Sequence, residues 1–253
     1  EPAGRDTAPC IALAAAVVSA KSPSENPVMG IFPADHVIKD VASFAKVVSD
    51  GADIAEGGKV VTIGVRPTYP STGYGYIHCG KKLNADSDTI FYEGLGFCEK
   101  PDAETAQKFL SDGRYSWNAG MFIWSFSTIM SAFKTHAPDL FDAATSIRNS
   151  FKEGKFHETA EKEYSKLRKI SIDYAVMEKI SGMAVADCSF YWDDVGSWTA
   201  LKNQIRPSEN NNVVKGLHTG IDTKNCIIVG DNSHLIGTID VEDLIIVHTD
   251  DVT

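Results

Sequence analysis

Short β-branched apolar runs alternate with helix-patterned segments along most of this chain, and that alternation limits its fold more than any other feature. Residues 28–33, 60–65, 89–98 and 120–126 read as strands, the first two as buried runs bounded by turn residues. A further apolar run at 182–186 reads as a buried strand. Between them, residues 43–50, 103–110, 127–137, 159–167 and 171–180 carry helical spacing, as do residues 7–19 before the first strand. Thr7 is placed to cap the first helix with Pro9 in its first turn, and Asp102 to cap the third with Glu104 behind it. Strands interleaved with helices predict an α/β domain with a mostly parallel sheet. After about Pro207 the texture changes. Asn210-Asn211-Asn212 is linker-like, and short β runs at 212–214, 226–230, 235–237 and 244–247 follow with no helical spacing. The expected division is residues 1–207 as the α/β domain and 208–253 as a small β-rich tail. Solenoid rungs are one form the tail could take, although no repeat of fixed period is evident.

The bulk chemistry narrows the function. A net charge of −10 argues against a general nucleic-acid or membrane-surface binder, both of which use basic patches. An anionic small substrate stays open, because a cation and a few Lys or Arg reverse the local sign. The five cysteines are widely spaced with no C-x-x-C, which reads as reduced thiols in a cytoplasmic protein rather than a disulfide framework or zinc site. The apolar run at 11–20 is too short to span a bilayer. The chain opens without a methionine and stops shortly after an apparent strand, so it reads as a piece of a longer protein.

The chemistry-bearing stretches sit at expected strand ends. Trp192-Asp193-Asp194-Val195-Gly196-Ser197-Trp198 puts two carboxylates between aromatics after the 182–186 strand. Paired carboxylates there are costly without a positive partner, and a hard cation such as Mg²⁺ takes one or two carboxylates plus substrate phosphates. Phe32-Pro33-Ala34-Asp35-His36 places Asp35 past another strand, where open α/β sheets bind ligands. Asp35 and Asp194 could share one Mg²⁺ if the fold brings them together; spacing alone favours Asp35 as a helix cap and Asp194 as a turn residue. Gly75, in Gly73-Tyr74-Gly75-Tyr76-Ile77, allows close approach of backbone to a ligand or simply serves a loop. Lys100, beside Glu99, suits a phosphate or a surface turn. Asn118 can both donate to and accept from a sugar hydroxyl, or fill a turn. Asp173 could bind hydroxyls or stabilise a helix start. The flanking tryptophans are expected in the core. No G-x-S-x-G, H-E-x-x-H or Walker A pattern occurs.

Taken in order, eight blocks resemble the bacterial mannose-1-phosphate guanylyltransferases. They are Glu1-Pro2…Arg5-Asp6-Thr7-Ala8-Pro9, Phe32-Pro33-Ala34-Asp35-His36, Gly64-Val65-Arg66-Pro67-Thr68 and Thr72-Gly73-Tyr74-Gly75-Tyr76-Ile77. Phe97-Cys98-Glu99-Lys100-Pro101, Trp117-Asn118-Ala119-Gly120-Met121-Phe122, the 171–179 segment and Trp192 to Trp198 complete the set. The resemblance implies a GT-A-like nucleotidyltransferase domain whose first strand is missing here, then a short left-handed β-helix-like tail that often mediates homodimer contacts. It implies transfer of GMP from GTP to mannose 1-phosphate, giving GDP-mannose and pyrophosphate with Mg²⁺, a reaction that feeds polysaccharide biosynthesis. On this resemblance Asp35 and Asp194 match the metal-binding aspartates and Lys100 the lysine facing the sugar phosphate. Gly75, Glu99, Asn118 and Asp173 match positions that hold mannose, and Glu1, Arg5, Asp6, Thr7 and Ala8 border the guanine pocket. The family's glycine-rich loop is absent, so these residues alone are expected to be inactive. Asp6 also stands where many relatives carry asparagine. The alternatives are another sugar-1-phosphate nucleotidyltransferase, or a non-catalytic sugar-nucleotide-binding regulator.

Overall fold

A computed structural model describes residues 1–188 and 190–253. They form two compact units: residues 1–34 with 38–192, and residues 35–37 with 193–253.

The first unit is built on a six-stranded sheet. In chain order the chain forms β1 (Val28–Ile31), β2 (Val37–Ile38), β3 (Val61–Val65), β4 (Tyr76–Lys82), β5 (Phe91–Cys98), β6 (Tyr115–Ser125), β7 (Met183–Asp187) and β8 (Trp192–Asp193). β2 and β8 pair as a separate two-stranded ribbon; the others line up as β1-β6-β3-β7-β5-β4, with β6 also pairing β4. Four of the six share one direction, and β5 and β6 run against them. The α/β class and the mostly shared strand direction therefore hold; among the described residues of this sheet, β3 and β7 are the hydrogen-bonded neighbours that run parallel. The reason lies in the connections. β4 and β5 follow each other with no helix between them, so the chain doubles back antiparallel.

Side chains alternate cleanly across the sheet. Phe122, Trp124, Met183 and Val185 pack with α1 (Thr7–Lys21) and three later helices on one face. Met121, Ile123, Ala184 and Ala186 pack with α2 (Val41–Glu56) on the other. α3 (Ala103–Asp112) starts at the expected cap, with Asp102 accepting from the Thr105 N–H at 2.8 Å. α4 (Phe126–His136), α5 (Pro138–Ser150) and α6 (Phe156–Tyr164) fill the first face, α5 with Leu140, Ala144 and Ile147 buried against α1. α2 is fastened by Asp50. Its buried carboxylate accepts from Lys46 Nζ at 2.8 Å, Ser87 Oγ at 2.7 Å and Thr89 Oγ1 at 2.5 Å, tying the helix to the loop before β5.

α1 corrects one expectation. Its N-cap is Asp6, whose carboxylate accepts the Thr7 N–H at 2.8 Å. Thr7 is not the cap: it is the first helical residue, and its hydroxyl accepts the Ile172 N–H at 2.8 Å instead.

In the second unit, a 3₁₀ turn (Trp198–Ala200) leads into α7 (Leu201–Gln204). The tail then carries β9 (Val213–Lys215), β10 (Leu217–Ile221), β11 (Ile227–Val229), β12 (Leu235–Ile239) and β13 (Ile245–Val247). β9, β11 and β13 stack in parallel, as do β10 and β12, with Cys226, Ile228 and Ile236 packed inside. These are solenoid rungs. Their corners are left-handed residues, Asn211, Asp222, Asn225, Asp240 and Asp243, with φ between 52° and 58°. Such positions favour Asn and Asp, whose side chains bond locally. Asn211 Nδ2 donates to Asn225 Oδ1 at 2.8 Å, and Asn225 Nδ2 in turn donates to Asp243 Oδ1.

Candidate functional site

A bulge in β6 is the origin of the first cluster. Thr62 faces Phe122 across β3 and β6, but Gly64 faces Asn118, so Ala119, Gly120 and Met121 oppose the single residue Ile63. Gly120 sits at φ 68°, which a side chain would strain. The extra residues fold the Gly120 N–H back onto Asn118 Oδ1 at 3.1 Å. The Thr62 hydroxyl donates to the same oxygen at 3.1 Å. With its carbonyl held, the Asn118 amide presents its NH₂ to Asp173 Oδ1 at 3.2 Å. The Asn118 backbone N–H meanwhile donates to the Gly75 carbonyl at 2.8 Å.

Asp173 opens a single π-helical turn, Asp173–Met177, in place of the regular helix expected over 171–180. π-turns recur at functional sites. The turn brings Glu178 round so that its Oε1 accepts the Glu99 N–H at 3.1 Å. Next to it, Lys100 adopts a left-handed φ of 44° and its ammonium lies 3.6 Å from Glu99 Oε1. The Glu99 side chain is only 11% exposed. Gly75 packs so closely that a Cβ there would lie 2.5 Å from Glu99 Oε2 and 3.1 Å from the Phe97 ring. Gly75, Glu99, Lys100, Asn118 and Asp173, scattered in sequence, thus form one cluster.

Its electrostatics are poised. Burial pushes the Glu99 carboxyl up, the charge of Asp173 adds to this, and Lys100 pulls the other way. Burial likewise raises Asp173, with Lys100 opposing and Asp6 reinforcing. Two half-buried carboxyls, one amide NH₂ and one ammonium make a set of acceptors, a donor and a cation. That set suits a polyhydroxylated ligand carrying a phosphate.

The N-terminal segment is a fastened strap. The Tyr164 hydroxyl donates to Glu1 Oε2 at 2.5 Å, and an Arg5 guanidinium nitrogen donates to the Ser165 carbonyl at 2.9 Å. Arg5 Nε is buried without a hydrogen-bond partner among the described residues. The buried Ala8 donates its N–H to the Ile170 carbonyl at 3.1 Å. Glu1, Arg5, Thr7 and Ala8 therefore anchor the segment that leads into Asp173, and Asp6 faces Asp173 electrostatically.

The second cluster belongs to the other unit. Asp35, Asp193 and Asp194 all act on the His36 imidazole. Burial lowers its pKa, and the three carboxylates, Asp35 first, oppose that. Asp35 Oδ1 lies 4.0 Å from His36 Nε2, with the Asp35 side chain 85% exposed. Asp193 is buried and committed. It accepts the Val195 N–H at 2.8 Å and the Asn203 and Gln204 amides at 3.0 Å each. Asp194 is half-buried and accepts the Gly196 N–H at 3.3 Å. Among the described residues, no group of three or more His, Cys, Asp or Glu is arranged to hold a metal ion. Two carboxylates with hard oxygen donors nevertheless suit Mg²⁺, whose remaining positions go to water and phosphate.

The tryptophans separate. Trp192 packs on Tyr74 with ring centroids 5.5 Å apart, whereas Trp198 is 48% exposed, not core as expected, because the 3₁₀ turn carries it outward. Sequence reasoning passes over Thr62, Glu178 and His36. The signal for Thr62 is a hydroxyl inside an otherwise apolar strand, since a buried hydroxyl needs a partner. An open groove of about 870 Å³, with Ser131, Thr135, Lys59 and Lys179 in its walls, contains none of the cluster residues.

The sequence profile described as nucleotidyl transferase matches residues 1–210. The chain belongs to the nucleotidyl transferase family. The profile described as a mannose-phosphate isomerase/GMP-like β-helix domain matches residues 216–253, where the rungs lie. This nucleotidyl transferase chain is 38% identical over 253 residues to a mannose-1-phosphate guanylyltransferase of Escherichia coli, covering 99% of itself and 54% of that protein. It is 37% identical over 252 residues to the xanthan biosynthesis protein XanB of Xanthomonas campestris pv. campestris (strain B100), covering 99% and 52%. The chain spans about half the length of the curated relatives it matches. A crystal structure described as mannose-1-phosphate geranyltransferase from Thermus thermophilus superposes with a TM-score of 0.84 at 34% identity, over 99% of this chain and 70% of that one.

Proposed function

We propose that this chain supplies the sugar-phosphate and metal-binding portion of a mannose-1-phosphate guanylyltransferase. The reaction joins GMP from GTP to mannose 1-phosphate and releases pyrophosphate, leaving GDP-mannose. The observation that carries this reading is the Gly75–Glu99–Lys100–Asn118–Asp173 cluster, whose acceptors, donor and cation match a sugar bearing a phosphate. The names of the relatives above point the same way.

The nucleophile needs no general base, because a phosphate oxygen of mannose 1-phosphate is already ionised near neutral pH. The protein's work is orientation and charge placement. Lys100 holds the attacking phosphate, and Glu99 and Asp173 accept sugar hydroxyls. Asn118 orients Asp173, and Gly75 leaves room for the ring beside Glu99. Asp35 and Asp194 would hold Mg²⁺, which when bound neutralises charge on the phosphates. The attacking oxygen bonds the α-phosphorus of GTP as the bond to the departing pyrophosphate breaks. Glu1, Arg5, Asp6, Thr7 and Ala8 border the guanine in this reading. Functionally, residues 1–207 act as the transferase domain and 208–253 as the tail.

No helix among the described residues is long and apolar enough to cross a membrane. A cytoplasmic role in making a nucleotide sugar for polysaccharide synthesis fits that and the xanthan relative. The tail presents Leu217, Ile221, Leu235 and Ile239 outward, each 46% exposed or more. Leu217 pairs with Leu235 and Ile221 with Ile239, so they form one apolar face that supports homodimerisation through the tail.

Isothermal titration tests the reading. Mannose 1-phosphate should bind the chain more tightly than glucose 1-phosphate, and GDP-mannose should bind more tightly with Mg²⁺ than without it. Equal binding of the two hexose phosphates would move the assignment to another sugar-1-phosphate transferase. Metal-independent GDP-mannose binding would favour a regulatory module.

A further inference from the structure

We propose that Thr62 is a positioning residue for sugar recognition, acting through Asn118 on Asp173. The proposal rests on the sugar-site reading above for its ligand, but its geometry stands without it.

Thr62 is fully buried as the second residue of β3. A strand core of this kind is filled by valine, isoleucine and alanine, and valine has nearly the shape of threonine. The hydroxyl therefore answers to something other than packing. Two acceptors lie within reach: Asn118 Oδ1 at 3.1 Å and the Met121 carbonyl at 3.3 Å. We assign the single hydroxyl proton to the nearer one, Asn118 Oδ1.

The polarity of the chain of bonds follows. The Gly120 N–H can only donate, so the Asn118 atom facing it is the carbonyl oxygen. Thr62 adds a second donor to that oxygen. The NH₂ end is then turned toward Asp173 Oδ1. Asp173 is held as an acceptor, with the Ser171 hydroxyl and its own backbone N–H also bonding the carboxylate. The charged groups that face Asp173 are Lys100, Asp6 and Glu99. Burial works against the ionised form of Asp173, so a change in how the Asn118 NH₂ is aimed at it shifts its titration.

Thr62→Val removes the hydroxyl at nearly constant volume, and Thr62→Ser restores it. Two measurements on the chain test the inference. The first follows the Asp173 carboxyl by NMR titration without ligand. Thr62→Val should move its midpoint upward and Thr62→Ser should return it. An unchanged midpoint in a folded Thr62→Val protein overturns the proposal. The second is titration with mannose 1-phosphate. Thr62→Val should weaken binding about fivefold, the ordinary scale of one lost hydrogen bond, with recovery in Thr62→Ser. In an Asp173→Asn background the same change should have less than about a twofold effect, since coupled residues are non-additive. An equal penalty in both backgrounds means that Thr62 serves only the fold. If wild type fails to bind mannose 1-phosphate while the Asp173 midpoint still responds to Thr62, the positioning stands and the ligand reading falls.

Discussion

The amide of Asn118 and the carboxylate of Asp173 meet at 3.2 Å, although 55 residues separate them and one lies on a strand and the other on a π-turn. In the same cluster the Asn118 N–H bonds the Gly75 carbonyl and the Glu99 N–H bonds Glu178.

Gly75→Ala tests how tightly the cluster is fitted. The new methyl would lie 2.5 Å from Glu99 Oε2, and the Phe97 ring blocks the alternative. Glu99 has to swing away, which also breaks its approach to Lys100. Calorimetry should show mannose 1-phosphate binding weakened by more than about tenfold, roughly 1.4 kcal/mol. Thermal stability should change little, because the displaced group is a side-chain end. Unaltered affinity would remove Glu99 from the sugar site.

Asp193 and Asp194 should separate cleanly. Asp193→Ala leaves one N–H and two amides without their acceptor and should cost about 1–3 kcal/mol in denaturant unfolding. Asp194→Ala should leave stability within about 0.5 kcal/mol but abolish the Mg²⁺-dependent part of GDP-mannose binding. The reverse pattern would exchange their roles.

Acid titration of stability should show two carboxyls with opposite signs. Asp50 is pushed up by burial, but bonds from Lys46, Thr89 and Ser87 outweigh this and bring it down to about 2. Its contribution is complete above the unfolded aspartate value, about 3.9, and is lost as pH falls toward 2. Asp173 is raised, so it binds its proton more firmly in the folded state. Its ionisation costs stability as pH rises above the unfolded value and through the raised one. Urea unfolding across this range should therefore show Asp50→Asn flattening the acid limb and Asp173→Asn flattening the decline toward neutrality. Identical pH profiles for wild type and Asp173→Asn would show that Asp173 is not perturbed.

The apolar tail face predicts an association that one charge should disrupt. Ile239 is 72% exposed and pairs with Ile221. Light scattering should find a dimer for the wild type and a monomer for Ile239→Glu, with unchanged circular dichroism. A wild type that stays monomeric at high micromolar concentration would leave this face without a self-partner.

Local signals in the sequence are legible where one physical cause dominates. The β-branched run of β3 and the Asp102 cap of α3 need no tertiary information. α5 escapes such a reading: it follows α4 with only Ala137 between them, and Pro138 sits at its first turn. The shared direction of four of the six strands agrees with the pattern, but which strands become neighbours depends on pairing between distant segments, which leaves no local mark. The rungs hide their repeat because their lengths differ: Ile227 follows Val213 by 14 residues and precedes Ile245 by 18. In the cluster, the ordered motif blocks point to Gly75, Glu99, Lys100, Asn118 and Asp173. The bulge at Gly120 and the role of Thr62 depend on register, which no single segment encodes.

The corner ladder of Asn211, Asn225 and Asp243 makes the tail a ruler graduated in whole rungs. Asn211 bonds Asn225 and Asn225 bonds Asp243, so rung length can vary while the corner spacing stays at the strand separation of about 4.8 Å. Adding or removing one complete rung would change the tail's length by that increment and leave the other corners intact. A partial insertion would put a residue of the wrong kind at a left-handed corner and break the ladder there. Length changes in such a tail are thus quantised, and loops between corners are where its sequence is free to drift.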